Sequence, residues 1–228
     1  MDRTSTIQAQ RLRRTHDALL AAYGTQHWWP AKTAFEVILG AYLTQNTAWT
    51  QVERTLNNLR AAKALSAAGI RRLGEAELCE LIRPSGFATR KAPAIKAFVA
   101  LLDVEFGGSL ARMAAAPTAQ LRTRLLALPG VGPETADAIL LYALGHAVPV
   151  ADEYLRRVAE RHVLLPAPVA RNGHSYTALA ELTRAAFAGD PESEHAALYG
   201  EFHALIVAVG KAHCGKTADC GTCPLRDK

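Results

Sequence analysis

Leu125-Leu126-Ala127-Leu128-Pro129-Gly130-Val131-Gly132-Pro133-Glu134-Thr135-Ala136 is the stretch on which the fold turns. An apolar run ends at Pro129, two glycines flank one apolar residue, and a second apolar run opens behind them. Glycine lets the backbone turn sharply and lets another chain approach closely. If a helix starts after Gly132, its free N–H groups and the positive end of its dipole face the turn, which makes a seat for a phosphate. The same spacing also fits an ordinary αα-hairpin with a glycine turn.

The chain around this hairpin has a helical composition. Alanine and leucine together number 73, against 19 valine and isoleucine residues. That balance favours helix over strand and predicts an all-α protein. Phe35, Ile38, Leu39, Tyr42 and Leu43 follow a period of about 3.6 residues, as do Leu198, Phe202, Leu205, Ile206 and Val209. Proline and glycine cut the chain at Pro84-Ser85-Gly86, Phe106-Gly107-Gly108, Ala116-Pro117, Leu128-Pro129-Gly130 and between Pro166 and Gly173. The pieces left between them predict about ten short helices. No repeat of about 20–50 residues is visible, which excludes a solenoid.

At 228 residues, the chain has room for one or two domains. Half of its residues are hydrophobic, which excludes a disordered chain. A formal net charge of +5 suits an anionic partner without naming it. The first residues carry no apolar core of the kind a secretory signal needs, and the most apolar window, 136–151, is interrupted by Asp137, His146 and Pro149. Of four cysteines, Cys79 stands alone and three lie within the last 15 residues, a pattern of metal binding rather than of a disulfide framework. These features predict an intracellular protein that does not enter a membrane.

Downstream of the hairpin comes Val148-Pro149-Val150-Ala151-Asp152-Glu153-Tyr154-Leu155-Arg156-Arg157-Val158. Here the chain resembles the endonuclease III superfamily of DNA glycosylases, which carries L-P-G-V-G-x-K-T-A in its helix-hairpin-helix and then V-D-T-H-x-x-R. Leu128 to Gly132, Thr135, Ala136, Asp152 and Arg157 match. The resemblance runs from about Trp28 to Cys223, with hairpin, aspartate and cysteine tail in family order. It implies two helical domains, one over residues 33–138 and the other over 1–32 plus 139–228, with DNA held across the cleft between them. It further implies that Gly130, Val131 and Gly132 meet the phosphate backbone of a double-stranded DNA bearing a damaged base. The protein is expected to be a cytoplasmic, DNA-associated monomer.

Where bifunctional members of the family have the lysine that attacks C1′ of the sugar, this chain has Glu134. A carboxylate cannot form an imine, and no lysine lies between Lys96 and Lys211, so the lyase step is expected to be absent. Asp152 takes the place of the family's catalytic aspartate. A carboxylate beside C1′ stabilises an oxocarbenium-like sugar and can orient or deprotonate the attacking water. An aspartate at the start of a helix also reads as an N-cap, and Asp152 can be both.

All three tryptophans, Trp28, Trp29 and Trp49, fall within one short segment. Thr44-Gln45-Asn46 resembles the family's segment whose glutamine enters the duplex, so Gln45 and Asn46 are expected at the DNA. Trp28-Trp29-Pro30, Leu43-Thr44-Gln45-Asn46-Thr47, Arg83-Pro84-Ser85-Gly86-Phe87 and Glu134 together resemble the 3-methyladenine DNA glycosylase branch. A positively charged alkylpurine is already a good leaving group and needs chiefly a π-rich box. Trp28, Trp29, Trp49 and Glu134 are the expected pocket for a flipped base, although tryptophans also pack in cores. Phe87 is the expected apolar wedge opposite the extruded nucleotide.

Cys214-x5-Cys220-x2-Cys223 resembles the family's iron–sulfur loop, with a first gap one residue shorter. The resemblance implies that Cys214, Cys220 and Cys223 hold a [4Fe–4S] cluster of structural role, with zinc as the alternative. Taken together, the sequence predicts a monofunctional glycosylase of alkylated purines. Two alternatives stay open: a mismatch-directed thymine, uracil or adenine glycosylase, and a damage-binding protein without catalysis.

Overall fold

The computed structural model describes residues 3–26, 28, 31–165 and 173–226. Twelve α-helices follow one another along these residues: α1 (Arg3–Tyr23), α2 (Ala34–Leu43), α3 (Trp49–Ala61), α4 (Ala67–Arg72), α5 (Glu75–Ile82), α6 (Ala88–Phe106), α7 (Leu110–Ala114), α8 (Thr118–Leu126), α9 (Pro133–Ala138), α10 (Glu153–Arg161), α11 (Gly173–Ala186) and α12 (His195–Ala212). Among the described residues there is no sheet, only an isolated bridge between Cys214 and Ala218. The all-α expectation holds. None of the described helices is long and apolar enough to cross a membrane.

The chain forms two compact units, one of Trp29–His146 and one of Met1–Trp28 together with Ala147–Lys228. The sequence reading put the second seam at 138, whereas the compact unit continues to His146. The physical reason is that α9 does not stop at Ala138: it runs on through a π-helical turn, Ile139–Ala143. Ile139 and Leu140 on this turn are fully buried, and the turn packs on α2. A π turn inserts one residue into a helical register and is common near functional sites.

In the Trp29–His146 unit, α2 is buried along nearly its whole length and packs against α3, α6 and α9. Thr33 caps α2, its side chain accepting from the Glu36 amide at 3.2 Å. Glu36 in turn binds Arg60 of α3 at 2.8 Å. In the other unit, α1 packs on α11 and α12, and α10 packs on α12. Leu12 and Leu19 of α1 are fully buried, and Phe187 and Phe202 lie at the same core. Arg11 of α1 ties this unit further by donating to the carbonyls of His162 and Val163, at 2.7 and 3.1 Å.

Candidate functional site

The hairpin forms as its glycines suggest. Gly130 sits at φ +72°, a left-handed conformation that glycine reaches without steric cost. Gly132 is the N-cap of α9, and a Cβ built there would meet no atom within 4 Å. Among the described residues, neither the Gly130 nor the Gly132 amide has a hydrogen-bond partner, so the turn presents two unused N–H groups. Arg122 of α8 grips Asp137 of α9 through two bonds of 2.7 and 3.0 Å, which clamps the two hairpin helices together. The Val131 side chain is buried at 8% exposure, so what it turns outward is backbone. Glu134 is exposed in the first turn of α9, where a negative charge suits the helix dipole.

Gln45 is not a free side chain. Its amide nitrogen donates to the Gly130 carbonyl at 2.9 Å and to the Thr135 hydroxyl at 3.0 Å, docking the turn after α2 onto the hairpin. Asn46 beside it is exposed and held at φ +52°. Phe87, the residue that precedes α6, is held at φ +50° and is 58% exposed. An exposed phenylalanine in a left-handed conformation is rare on packing grounds and is available as a wedge. Gln45, Asn46, Phe87, Arg90, Lys91, Ala94 and Gly130 line one cavity of about 230 Å³.

In the other unit, Asp152 is the N-cap of α10, and its Oδ1 accepts from the Leu155 amide at 2.7 Å. The side chain is buried, with the residue 8% exposed. Its second oxygen, Oδ2, lies 3.7 Å from Nε2 of His203 on α12. One oxygen of this carboxylate thus caps the helix, while the other lies beside the His203 imidazole. Glu153 binds Arg156 at 2.8 Å and Arg157 at 3.1 Å, and the Arg157 guanidinium lies over the Tyr154 ring at 5.6 Å. Tyr154 fits because α12 has Gly210 opposite it: a Cβ there would sit 2.2 Å from the Tyr154 ring.

Trp28 stacks on His203 at 5.4 Å between centroids with planes 14° apart, which joins it to Asp152 through one imidazole. The Lys211 ammonium lies 5.7 Å from the Trp28 centroid. Trp49 opens α3 in the other unit, and its indole N–H donates to Glu53 at 2.9 Å. Trp29 lies outside the described residues. Sequence reading missed His203 and Lys211. Both sit on α12 among apolar residues whose period reads simply as core, and nothing in their spacing points to Asp152.

Cys214, Cys220 and Cys223 line one cavity of about 430 Å³ together with Arg11, Arg161, His213 and Arg226. Arg161 donates to the Cys214 sulfur at 2.9 Å and to the Gly215 and Lys216 carbonyls at 2.9 and 3.1 Å, so it closes the turn after α12. Burial pushes the Cys223 thiol up, and the nearby Cys214, Cys220 and Asp219 push it in the same direction. Among the described residues, no three Cys, His, Asp or Glu side chains converge as metal ligands. The donor set still suits a thiolate-bound metal, since three thiols face one cavity with guanidinium groups beside them.

Residues 39–182 match the model of the HhH-GPD superfamily of base excision DNA repair proteins, and the chain belongs to that family. A Methanocaldococcus jannaschii protein named as a DNA repair glycosylase is 41% identical over 211 residues, covering 92% of this chain and 91% of the relative. The thymine-DNA glycosylase of Aeropyrum pernix is 26% identical over 204 residues, covering 88% and 83%. Among solved structures, the H. pylori 3-methyladenine DNA glycosylase MagIII bound to 1,N6-ethenoadenine matches with a TM-score of 0.75 and 27% identity, over 90% of this chain and 97% of that one.

Proposed function

We propose that this glycosylase is monofunctional and removes alkylated purines, with Asp152 acting at C1′ of the extruded nucleotide. The observation that carries this reading is the Asp152 carboxylate. One oxygen is fixed by the Leu155 amide, and the other makes no hydrogen bond among the described residues. An oriented, desolvated carboxylate stabilises positive charge on the sugar and can take a proton from water. Glu134, in place of an imine-forming lysine, supports hydrolysis without a lyase step. The amides of Gly130 and Gly132 bind phosphate, Phe87 wedges the stack, and Gln45 and Asn46 stand beside it.

Trp28 and Trp49, with the likeness to MagIII, support a purine substrate. The Lys211 ammonium over Trp28 favours a neutral base such as 1,N6-ethenoadenine over a cationic one, because that ring already faces a cation. The same contact, with the A. pernix relative, favours a second reading in which the base is thymine or uracil. Cys214, Cys220 and Cys223 would hold a [4Fe–4S] cluster or zinc, which would brace the C-terminal loop.

One set of duplexes tests these points. They carry 1,N6-ethenoadenine, alkylated purines rich in 3-methyladenine, hypoxanthine, uracil or a G·T mismatch, each treated with and without alkali. Release of ethenoadenine ahead of the cationic alkylpurines, with strand breakage only after alkali, is the expected result. Breakage without alkali overturns the monofunctional reading, and preference for uracil or the mismatch installs the second one. Glu134→Lys should gain a borohydride-trappable adduct. An absorption band near about 400 nm distinguishes cluster from zinc.

A further inference from the structure

We propose that Lys91 is a positioning residue whose buried ammonium ties the Gln45–Asn46 turn and the Phe87 loop into one rigid, two-pronged element that enters the duplex. The proposal rests on the glycosylase reading for placing the two prongs in DNA.

Lys91 lies in the first turn of α6 and is only 4% exposed. Its Nζ donates to the Leu43 carbonyl at 2.8 Å, the Thr47 hydroxyl at 3.0 Å and the Ser85 carbonyl at 2.8 Å. An ammonium has three N–H donors, and all three here go to neutral oxygens. Two of these flank Asn46 in sequence, and the third lies just before Phe87. The Thr47 hydroxyl also bonds to the Ser85 carbonyl, so the two loops are stitched at one point. Burial lowers the Lys91 pKa to about 8, as expected of a desolvated cation.

The two loops need such a stitch. Asn46 and Phe87 are both held at positive φ, a conformation that side-chain-bearing residues keep only where the surroundings over-determine it. Each is exposed, so its own side chain supplies little of that restraint. A wedge that could relax on contact would yield before it unstacked the bases. Lys91 supplies the restraint from beneath, and its stem lines the cavity that the prongs enclose.

The test compares wild type with Lys91→Met, which keeps the stem and removes the donors, and with Thr47→Val, which keeps the charge and removes one acceptor. Hydrogen exchange without DNA should accelerate at least about tenfold in segments 44–48 and 84–88 together in Lys91→Met, and less in Thr47→Val. Single-turnover release from a fully paired lesion should fall about tenfold, while release from the same lesion in a preformed bulge, where extrusion is already complete, should change less than about twofold. Acceleration in one segment or neither overturns the stitch. Equal loss on both substrates, or loss on neither, overturns the role in insertion. If Lys91→Met does not fold, Thr47→Val carries the same comparisons. Wild type that releases no base sinks the glycosylase reading and the insertion role with it, while exchange still decides whether the loops are coupled.

Discussion

The glycine hairpin and the turn before α10 both present a polar group at the start of a helix, but they do so with different chemistry. At the hairpin the atoms we propose to meet phosphate are backbone: two amides with no partner among the described residues, opened by a glycine in a left-handed conformation. At Asp152 the atom we propose to act at C1′ belongs to a side chain, with His203 beside it and Trp28 stacked on that imidazole, residues far from Asp152 in the chain. A backbone site is written locally, because the residues that shape it are the residues that form it. A side-chain site takes its electrostatics from whatever the fold brings alongside.

The largest expected effect separates the two roles of Asp152. Asn caps a helix about as well as Asp but cannot stabilise a cation, so Asp152→Asn should lower base release about 10²–10³-fold with little change in stability. Asp152→Ala should add a loss of about 1 kcal/mol from the missing cap, read by urea denaturation. If Asp152→Asn releases base at the wild-type rate, the side-chain half of the comparison collapses.

Gly210→Ala comes next. The new methyl would lie 2.2 Å from the Tyr154 ring, so α10 must shift, at a cost of about 1–3 kcal/mol. DNA affinity, measured by fluorescence anisotropy, should hold while base release falls. A fourth variant probes the backbone half. Gly130→Ala at φ +72° should cost about 1 kcal/mol and weaken binding to all duplexes alike, damaged or not. A Gly130→Ala defect confined to damaged DNA would show that the hairpin reads the lesion.

The last prediction concerns stability alone and is a pH slope. Burial holds Lys91 near 8 in the folded chain, below its unfolded value, so between the two the unfolded state binds more protons. Stability from this group therefore rises with pH above about 8, by at most about 1.4 kcal/mol per unit. Subtracting the Lys91→Met curve isolates it, and a flat difference above pH 8 would refute the desolvation.

The same contrast explains what could be read from the sequence. Helical content, the hairpin and the capping role of Asp152 follow from composition and from residues near one another in the chain. The domain boundary expected at 138 differs from the compact unit's end at His146, because a π turn carries the hairpin's second helix on to Ala143 and its packing on α2 is a contact between segments far apart in sequence. Gln45 reads as a residue that reaches into DNA, yet its amide is bonded to the hairpin, a contact between segments far apart in sequence. Lys91, beside Arg90, reads from sequence as a phosphate contact or a solvated charge, and only its burial and its two carbonyl and one hydroxyl partners show otherwise.

The split of the chain into a continuous unit and a discontinuous one has a consequence for how the molecule is made. The Trp29–His146 unit is a continuous stretch that can pack while the ribosome is still at work, whereas α1, made before it, must wait for α11 and α12. Leu12 and Leu19, buried in the finished protein, spend that interval without cover. Chain synthesis at about 5–20 residues per second makes the wait a matter of many seconds. Once the Trp29–His146 unit has folded, the span between α1 and its partners is set by a folded unit instead of a free chain, which changes the loop that α1 must close. Destabilising that unit should therefore alter the rate at which the other one matures, although the mutation lies in neither α1 nor its partners.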